Sequence, residues 1–571
     1  MRSRNGFLGL CAAWWLITPI WVAAEPRPVG LDLNRDGLIQ LISHPRIPLD
    51  ETSPSRPFIF WVNEDQDDLE ISESWPIERP DHTTPAVDSV RDLEDLYPLW
   101  IEVDEQGNRD AQSMLMLSLK PGNARAPAIN LFRSADRACT NQQLVNEDVA
   151  RAQLGEDHVA MLGSVSSGNR LEIEASRLGT PIKGVHGWGI CLLMEGAATG
   201  SGQLRIELAN GDGSLISRGT IDIEIRPVKS FYKRTRIDWP ERIRAPWTYG
   251  PEQPPDPELQ WVEDSQGIEF DPPWYEDKHV LVWVYGWQTE GEAGYLSATV
   301  KGGETIFKRL WHRGFKGRLV FLHWPTIKPR LAYGLFQSEY RAYKSGPALK
   351  DLVESQPSDR VVHVTAHSLG SVVLTEALRL GMVAEDAMFQ VGAVPAGSLD
   401  PRDDLTLPEV RDLVTPDSAD EFGYRGYLRT PHTRLYNMYN PSDHTWIGWN
   451  LAQHLIKPTH ESGARYEYNP DASPSSRYML KYRPDGEEGW RTRQVTDHHE
   501  VMAFIARSKT HPIGGEARLE GPIEHKFDIG RPPFNFGHGH TVGWSWTPQR
   551  TVTFFNLILD AFNIAYKSPH R

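Results

Sequence analysis

The chain has 571 residues, 39% of them hydrophobic, with 20 Trp and 43 Pro, which is enough for two or three globular domains and excludes a disordered chain. Its net charge of −16 repels phosphate backbones and argues against nucleic acid as a partner.

Arg2 and Arg4 precede an apolar stretch at 6–22, GFLGLCAAWWLITPIWV, and Val22-Ala23-Ala24 offers the small residues a signal peptidase reads. Residues 1–24 are therefore predicted to be a signal peptide, Glu25 the mature start, and the protein secreted or periplasmic. The alternative is a retained membrane anchor, against which Pro19 and the alanines argue; Leu10 is too large for lipoprotein cleavage before Cys11. No later stretch reaches the ~20 apolar residues of a spanning helix. Cys139 and Cys191 remain after cleavage; they can pair in an oxidising compartment or stay as two buried thiols, and the sequence leaves both readings open.

Residues 25–110 are acidic and turn-rich. Asp32, Asn34 and Asp36 occupy the first, third and fifth positions of a calcium loop, with Gly37 and Ile39 at the sixth and eighth, a set of oxygen ligands suited to a hard cation. The twelfth position is Ser43 instead of glutamate, and the run Asn63 to Asp68 could supply the missing carboxylates. The competing reading is a solvated acidic turn; bound Ca2+ would be structural. Between 111 and 230, MLMLSLK and LRIELANGDGSLISRGTIDIEI alternate with period two around a GDG turn, which predicts antiparallel strands. Residues 25–230 are thus read as a β-rich, sandwich-like accessory region, and 231–275, containing APWTYGPEQPPDPELQW, as a proline-rich linker.

The pattern changes at 276. Apolar strands are predicted at 279–287, 318–325, 361–366, 387–394 and 433–440. Helices are predicted up to about 313, over 338–355, after Ser368, over 500–508 and over 551–562. Strands apolar along their whole length and alternating with helices predict a mostly parallel sheet with helices on both faces, an α/β domain over 276–571.

Within it, Ala366-His367-Ser368-Leu369-Gly370 lies between a strand and a helix. A nucleophile elbow needs small residues flanking a serine at such a junction, because the turn is too sharp for large ones; the other reading is an ordinary turn serine. The following helix start favours developing negative charge, so the Leu369 N–H is one candidate oxyanion donor. The Trp287 N–H, after Tyr285-Gly286 at the end of an earlier strand, is the second. A serine hydroxyl needs a histidine base, and the histidine an acid, in the chain order Ser, acid, His. Asp443 follows the strand at 433–440 and is the candidate acid, with a turn or capping role as its alternative. His540, in the glycine-rich loop NFGHGHTVGWSW, is the first candidate base and His538 the second; His498 and His499 are weaker. The segment Asp497 to Glu500 lacks the spacing of a zinc helix.

Four of these segments, VLVWVYGW, LVFLHWPT, VTAHSLGSVVLTEAL and NMYNPSD, resemble a family of bacterial α/β-hydrolase-fold proteins of uncharacterised function, related in outline to serine esterases and lipases. Tyr285 stands where the family often has histidine, and His540 with Trp544 four residues on is similar to the family's base with its aromatic. The resemblance covers 276–571 and implies the α/β-hydrolase fold and hydrolysis of an ester or related acyl bond through a Ser368–His540–Asp443 triad, with an acyl-enzyme and no cofactor for catalysis. The expected partner is a small-molecule or lipid-like ester; a lipase reading would use Trp446, Trp449, Trp544 and Trp546 as an acyl pocket. The competing function is a non-catalytic exported binding protein whose β-rich half does the work.

Overall fold

A computed structural model describes residues 29–30, 52–63, 92–103, 112–122, 125–137, 139–178, 182–184, 187–238, 259–265, 267–287, 302–326, 331–394, 432–443, 465–468, 478–482, 491–494, 523–531 and 548–564. The predicted signal peptide and the helix expected at 500–508 lie outside them.

The first half is strand-rich, as its alternation predicts. Eleven strands form one mixed sheet: β1 (Val29–Gly30), β2 (Phe58–Val62), β3 (Tyr97–Val103), β4 (Met114–Pro121), β5 (Ala128–Arg133), β6 (Met161–Val165), β7 (Leu171–Glu174), β8 (Ile182–Gly184), β9 (Gly187–Ala198), β10 (Gly200–Ala209) and β11 (Leu215–Pro227). The GDG turn joins β10 to β11 as an antiparallel hairpin, with Leu204 opposite Ile221. The long strand β9 pairs with β3 through Trp188–Met194 and with β5 through Leu192–Ala198, so it ties the strands into a single sheet. β2 pairs in parallel with β11, Phe58 opposite Ile223.

The second half carries an eight-stranded sheet. Its members are β12 (Lys233–Ile237), β13 (Trp261–Glu263), β14 (His279–Val284), β15 (Arg318–His323), β16 (Val361–His367), β17 (Asp386–Gln390), β18 (Arg434–Tyr439) and β22 (Ile523–Asp528), in the order β13-β12-β15-β14-β16-β17-β18-β22. A separate three-stranded sheet is made by β19 (Arg465–Tyr468), β20 (Tyr478–Tyr482) and β21 (Arg491–Gln494). All pairs of the large sheet are parallel except β12 with β13. β14 reads HVLVWV and is buried from Val280 to Val284, as expected for a strand covered on both faces. The stretch 231–275, expected to be a linker, instead contributes β12 and β13 to this sheet. Thr235 is buried and donates its hydroxyl to the Phe321 carbonyl, while Arg236 beside it and Glu263 on the edge strand are exposed.

The two halves share one core. A continuous apolar cluster runs from Phe58 and Trp61 through Phe307 and Trp311 to Trp283, Val364 and Phe555. The helix Gly302–His312 sits at the joint and is buried along Gly302–Trp311. Trp61 of β2 meets Trp311 and Phe307 edge-on, at 5.2 and 5.7 Å between ring centroids. The same helix carries charge into this interior. Lys308 Nζ lies 2.9 Å from Asp95 and 3.4 Å from Asp92, and Arg309 Nε lies 2.9 Å from Glu94, all at 2% exposure or less. The acids come from the short 3-10 turn Leu93–Asp95, closed by a capping box between Asp92 and Asp95. Trp61 Nε1 also donates to Asp95, at 2.8 Å.

Two expectations follow. Removing one partner of a desolvated pair leaves the other charge buried, so Lys308→Met should lower unfolding free energy by about 3–5 kcal/mol in a urea titration, with partial recovery when Asp95→Leu is added. A loss under about 1 kcal/mol would mean that water reaches the pair. The second concerns acid. Burial holds His312 well below its ordinary 6.5, to about 3, while its ring bonds the Glu94 carbonyl at 2.7 Å. Burial pushes the Asp95 carboxyl up, but Lys308, the Asp92 N–H and Trp61 together hold it below the usual 3.8. Both folded values lie under the unfolded ones, so the folded state binds fewer protons and stability falls as pH drops, from about 6.5 toward 3 for His312 and below 3.8 for Asp95. The His312 slope is at most about 1.4 kcal/mol per pH unit. His312→Gln should flatten the stability profile between pH 6 and about 4, and an unchanged slope would remove His312 from the account.

Candidate active site

Ser368 follows β16 directly, and the helix Gly370–Arg379 begins two residues later. Its backbone has φ 50°, a left-handed conformation that costs a non-glycine residue about 1–2 kcal/mol. The turn is held from both sides. The Ser368 N–H donates to the Gln390 carbonyl at 2.9 Å, its carbonyl accepts from the Ala393 and Ser371 N–H groups at 3.0 Å each, and Ser371 Oγ donates back to the Ala366 carbonyl at 3.2 Å. Val391, in the segment that hooks Ser368, also has a positive φ of 43° and donates its N–H to the Met438 carbonyl. Strain at two neighbouring non-glycine residues is thus supported by hydrogen bonds from β17 and β18.

The small residues around the serine have steric reasons. A Cβ at Gly370 would lie 2.2 Å from the Tyr285 carbonyl oxygen, so only glycine lets the helix start rest on the end of β14. A Cβ at Gly286 would meet His367 Nδ1 at 2.7 Å and Ser368 Cβ at 3.1 Å. Ala366 is fully buried and paired with Val284 in the sheet. The end of β14 is fixed in turn by Trp324 Nε1, which donates to the Tyr285 carbonyl at 2.7 Å. Trp287 is half-buried and its indole N–H donates to Ser338 Oγ at 2.9 Å, which anchors it to the helix Leu331–Glu354. Tyr285 itself is a core residue whose phenol burial pushes up, so it stays neutral. Among the described residues the Leu369 N–H has no hydrogen-bond partner.

Asp443 lies four residues beyond the end of β18, buried at 3% exposure. Its N–H donates to the Asn440 carbonyl at 3.2 Å, and Asn440 Oδ1 accepts from the Ser442 N–H at 3.1 Å. This turn packs on the end of β22, where the Ile529 N–H donates to the Tyr439 carbonyl and a Cβ at Gly530 would lie 2.5 Å from Asn440 Oδ1. Ser368, Trp287 and Asp443 therefore all follow the C-terminal ends of parallel strands, the edge where open α/β sheets collect ligands. His540 and His538 lie outside the described residues, as do Asp32, Asn34, Asp36, His498 and His499. Among the described residues no group of three His, Cys, Asp or Glu side chains is placed to hold a metal. The supports missed in sequence are Gln390 to Ala393 and Asn440. The first acts through backbone groups that leave no residue-type signal; the second could have been read from Asn-Pro-Ser-Asp as a side-chain-capped turn.

Residues 272–394 match the model of a family described as an alpha/beta hydrolase of unknown function (DUF900). This match and the sheet topology give this part of the chain the α/β-hydrolase fold. No curated protein matches the chain by sequence. A type II thioesterase from the yersiniabactin biosynthetic pathway overlaps with 14% identity over 30% of this chain and 80% of its own, at a TM-score of 0.17. A Pyrococcus furiosus esterase overlaps with 12% identity over 29% and 63%, at 0.17. A metagenomic carboxyl esterase overlaps with 12% identity over 52% and 80%, at 0.21. TM-scores this low do not extend the likeness to a shared site.

Because the Gly370 contact is with main chain, it cannot be relieved by a rotamer change. Gly370→Ala should cost about 1–3 kcal/mol of stability in thermal unfolding and displace the Ser368 turn; a change within 0.5 kcal/mol would contradict the packing of the helix start on Tyr285.

Proposed function

We propose that the chain is an exported serine hydrolase that cleaves an ester or related acyl bond. The observation that carries this reading is Ser368 itself: a serine at positive φ, at the C-terminal end of a central parallel strand, beside a Leu369 N–H at a helix start to which no described residue bonds. In this reading Ser368 Oγ attacks the substrate carbonyl and gives its proton to His540. The Leu369 and Trp287 N–H groups hold the oxyanion. The imidazolium of His540 then protonates the leaving group, and a water deprotonated by the same ring releases the acyl group.

Asp443 orients His540 and stabilises its charged form. One strand, β17, separates the strands that precede Ser368 and Asp443, a gap of about 10 Å between strand axes that an imidazole bonded to both side chains would bridge. The chain leaves β22 after Asp528, where Ile529 bonds Tyr439 beside the Asn440–Asp443 turn, and His540 is twelve residues past the strand's end, which supports it over the histidines at 498 and 499. The proton transfers need side chains only. The pairing of Cys139 with Cys191 supports the secreted or periplasmic assignment, since disulfides persist in oxidising compartments. A structural calcium ion held by Asp32, Asn34 and Asp36 completes the proposal; a chelator that changed neither melting temperature nor metal content would remove it.

Labelling of the mature protein with a fluorophosphonate, followed by mass mapping, tests the nucleophile. The adduct should sit on Ser368 and vanish in Ser368→Ala, and Asp443→Asn should lower ester turnover on the order of 10³–10⁴-fold with the fold intact. Well-folded protein that takes no label would favour the non-catalytic binding role instead.

A further inference from the structure

The strand-rich half holds a pocket of about 480 Å3 that this chemistry does not use. Its wall includes Arg133 and Arg137 at and after the end of β5, His158 in the short helix Glu156–Val159, Ser176 and Arg177 in the turn Ala175–Leu178, and the middle of β9. Three guanidinium groups face one cavity in a chain whose net charge is −16. Asp157 is the one carboxylate in the wall, and among the described residues none of the three arginines forms an ion pair. Among the described residues Arg133 Nε is buried and has no hydrogen-bond partner, a donor that a bound anion would satisfy. Burial holds His158 below its ordinary value against the pull of Asp157, with Arg133 and Arg137 adding to the lowering, so near neutral pH the ring presents one N–H and the positive field belongs to the arginines.

The wall is built before any ligand arrives. The Cys139–Cys191 disulfide ties the loop after Arg133 to β9. Asp136 Oδ2 accepts from the Thr140 and Gln142 N–H groups at 2.6 and 3.1 Å. Gln153 accepts from the Ala135 N–H at 2.8 Å and donates to the Arg133 carbonyl at 2.9 Å. The backbone that carries Arg133 and Arg137 is thereby fixed from three sides, which reduces the ordering cost of binding.

We infer that this pocket binds a phosphomonoester, with its dianionic phosphate among Arg133, Arg137 and Arg177 and its organic part in the remaining volume. Three forked donors match three terminal oxygens and two charges; a carboxylate offers two oxygens and one charge. A volume of 480 Å3 falls in the range of small-molecule sites, larger than a bare phosphate needs. The phosphate can belong to a soluble metabolite or to a lipid head group.

The test is calorimetric titration of the full mature chain with glycerol 3-phosphate, with inorganic phosphate and with acetate at low salt. Saturable one-to-one binding of glycerol phosphate, tighter than acetate, is expected. Arg137 and Arg177 are exposed, so Arg137→Gln with Arg177→Gln should keep the melting temperature and weaken binding by about tenfold per charge removed, while Ser368→Ala binds as the parent does. No saturable heat at millimolar glycerol phosphate, binding unmoved by the double variant, or preference for acetate would each overturn the inference. Sedimentation with phosphatidate-containing vesicles but not with pure phosphatidylcholine, lost in the double variant, identifies the lipid source; binding of glycerol phosphate without vesicle sedimentation identifies the soluble one.

Discussion

The structure depends on a contact between charges that have left water. Lys308 and Arg309 enter the interior on a helix of the second half and meet three acids from the first half, 216 residues away between Lys308 and Asp92. Such pairs roughly break even against apolar packing, so their value is not the energy of the contact alone. They fix which surface of the first sheet faces that helix, because any other docking leaves several charges buried without partners. The aromatic packing of Trp61 on Trp311 and Phe307 then adds the favourable burial that a correctly registered joint allows. The described residues of the first half therefore contribute to the core that supports the α/β sheet.

A second constraint acts locally at Ser368. The left-handed turn is unfavourable on its own, and the sheet compensates through hydrogen bonds contributed by β17, by the segment after it and, through Val391, by β18. β18 also carries Asp443 just beyond its end. The strand that braces the elbow is thus the strand that leads to the candidate acid, which couples the position of one to the position of the other.

Much of the second half was legible because its strands are apolar runs stopped by glycine or proline, and period-two alternation gave the β10–β11 hairpin. The strands at Lys233–Ile237 and Trp261–Glu263 were not, because short strands carrying several charges, one of them at the sheet edge, look like linker when flanked by prolines. The buried acids at 92–95 read as an acidic turn, since the cations that neutralise them are supplied by a helix far along the chain and local sequence holds no trace of the pairing. At the candidate site, Ser368, Leu369, Gly370 and Asp443 could be placed from residue types and order. The bracing by Gln390 to Ala393 is main chain to main chain and depends on tertiary register, to which composition is blind.

The place of β2 in the first sheet bears on how the chain reaches its native state. This strand pairs in parallel with β11 and touches β9 at Val62 opposite Gly196, so it cannot be zipped from either end by a neighbouring hairpin. Its pairing with either partner closes a loop of well over a hundred residues, at an entropic cost. Such pairing is of high contact order, and the strand it places carries the buried Phe58, Phe60 and Trp61. The parallel pairing of β2 thus builds long-range contacts of high sequence separation into the first half of the chain, on which the shared core rests.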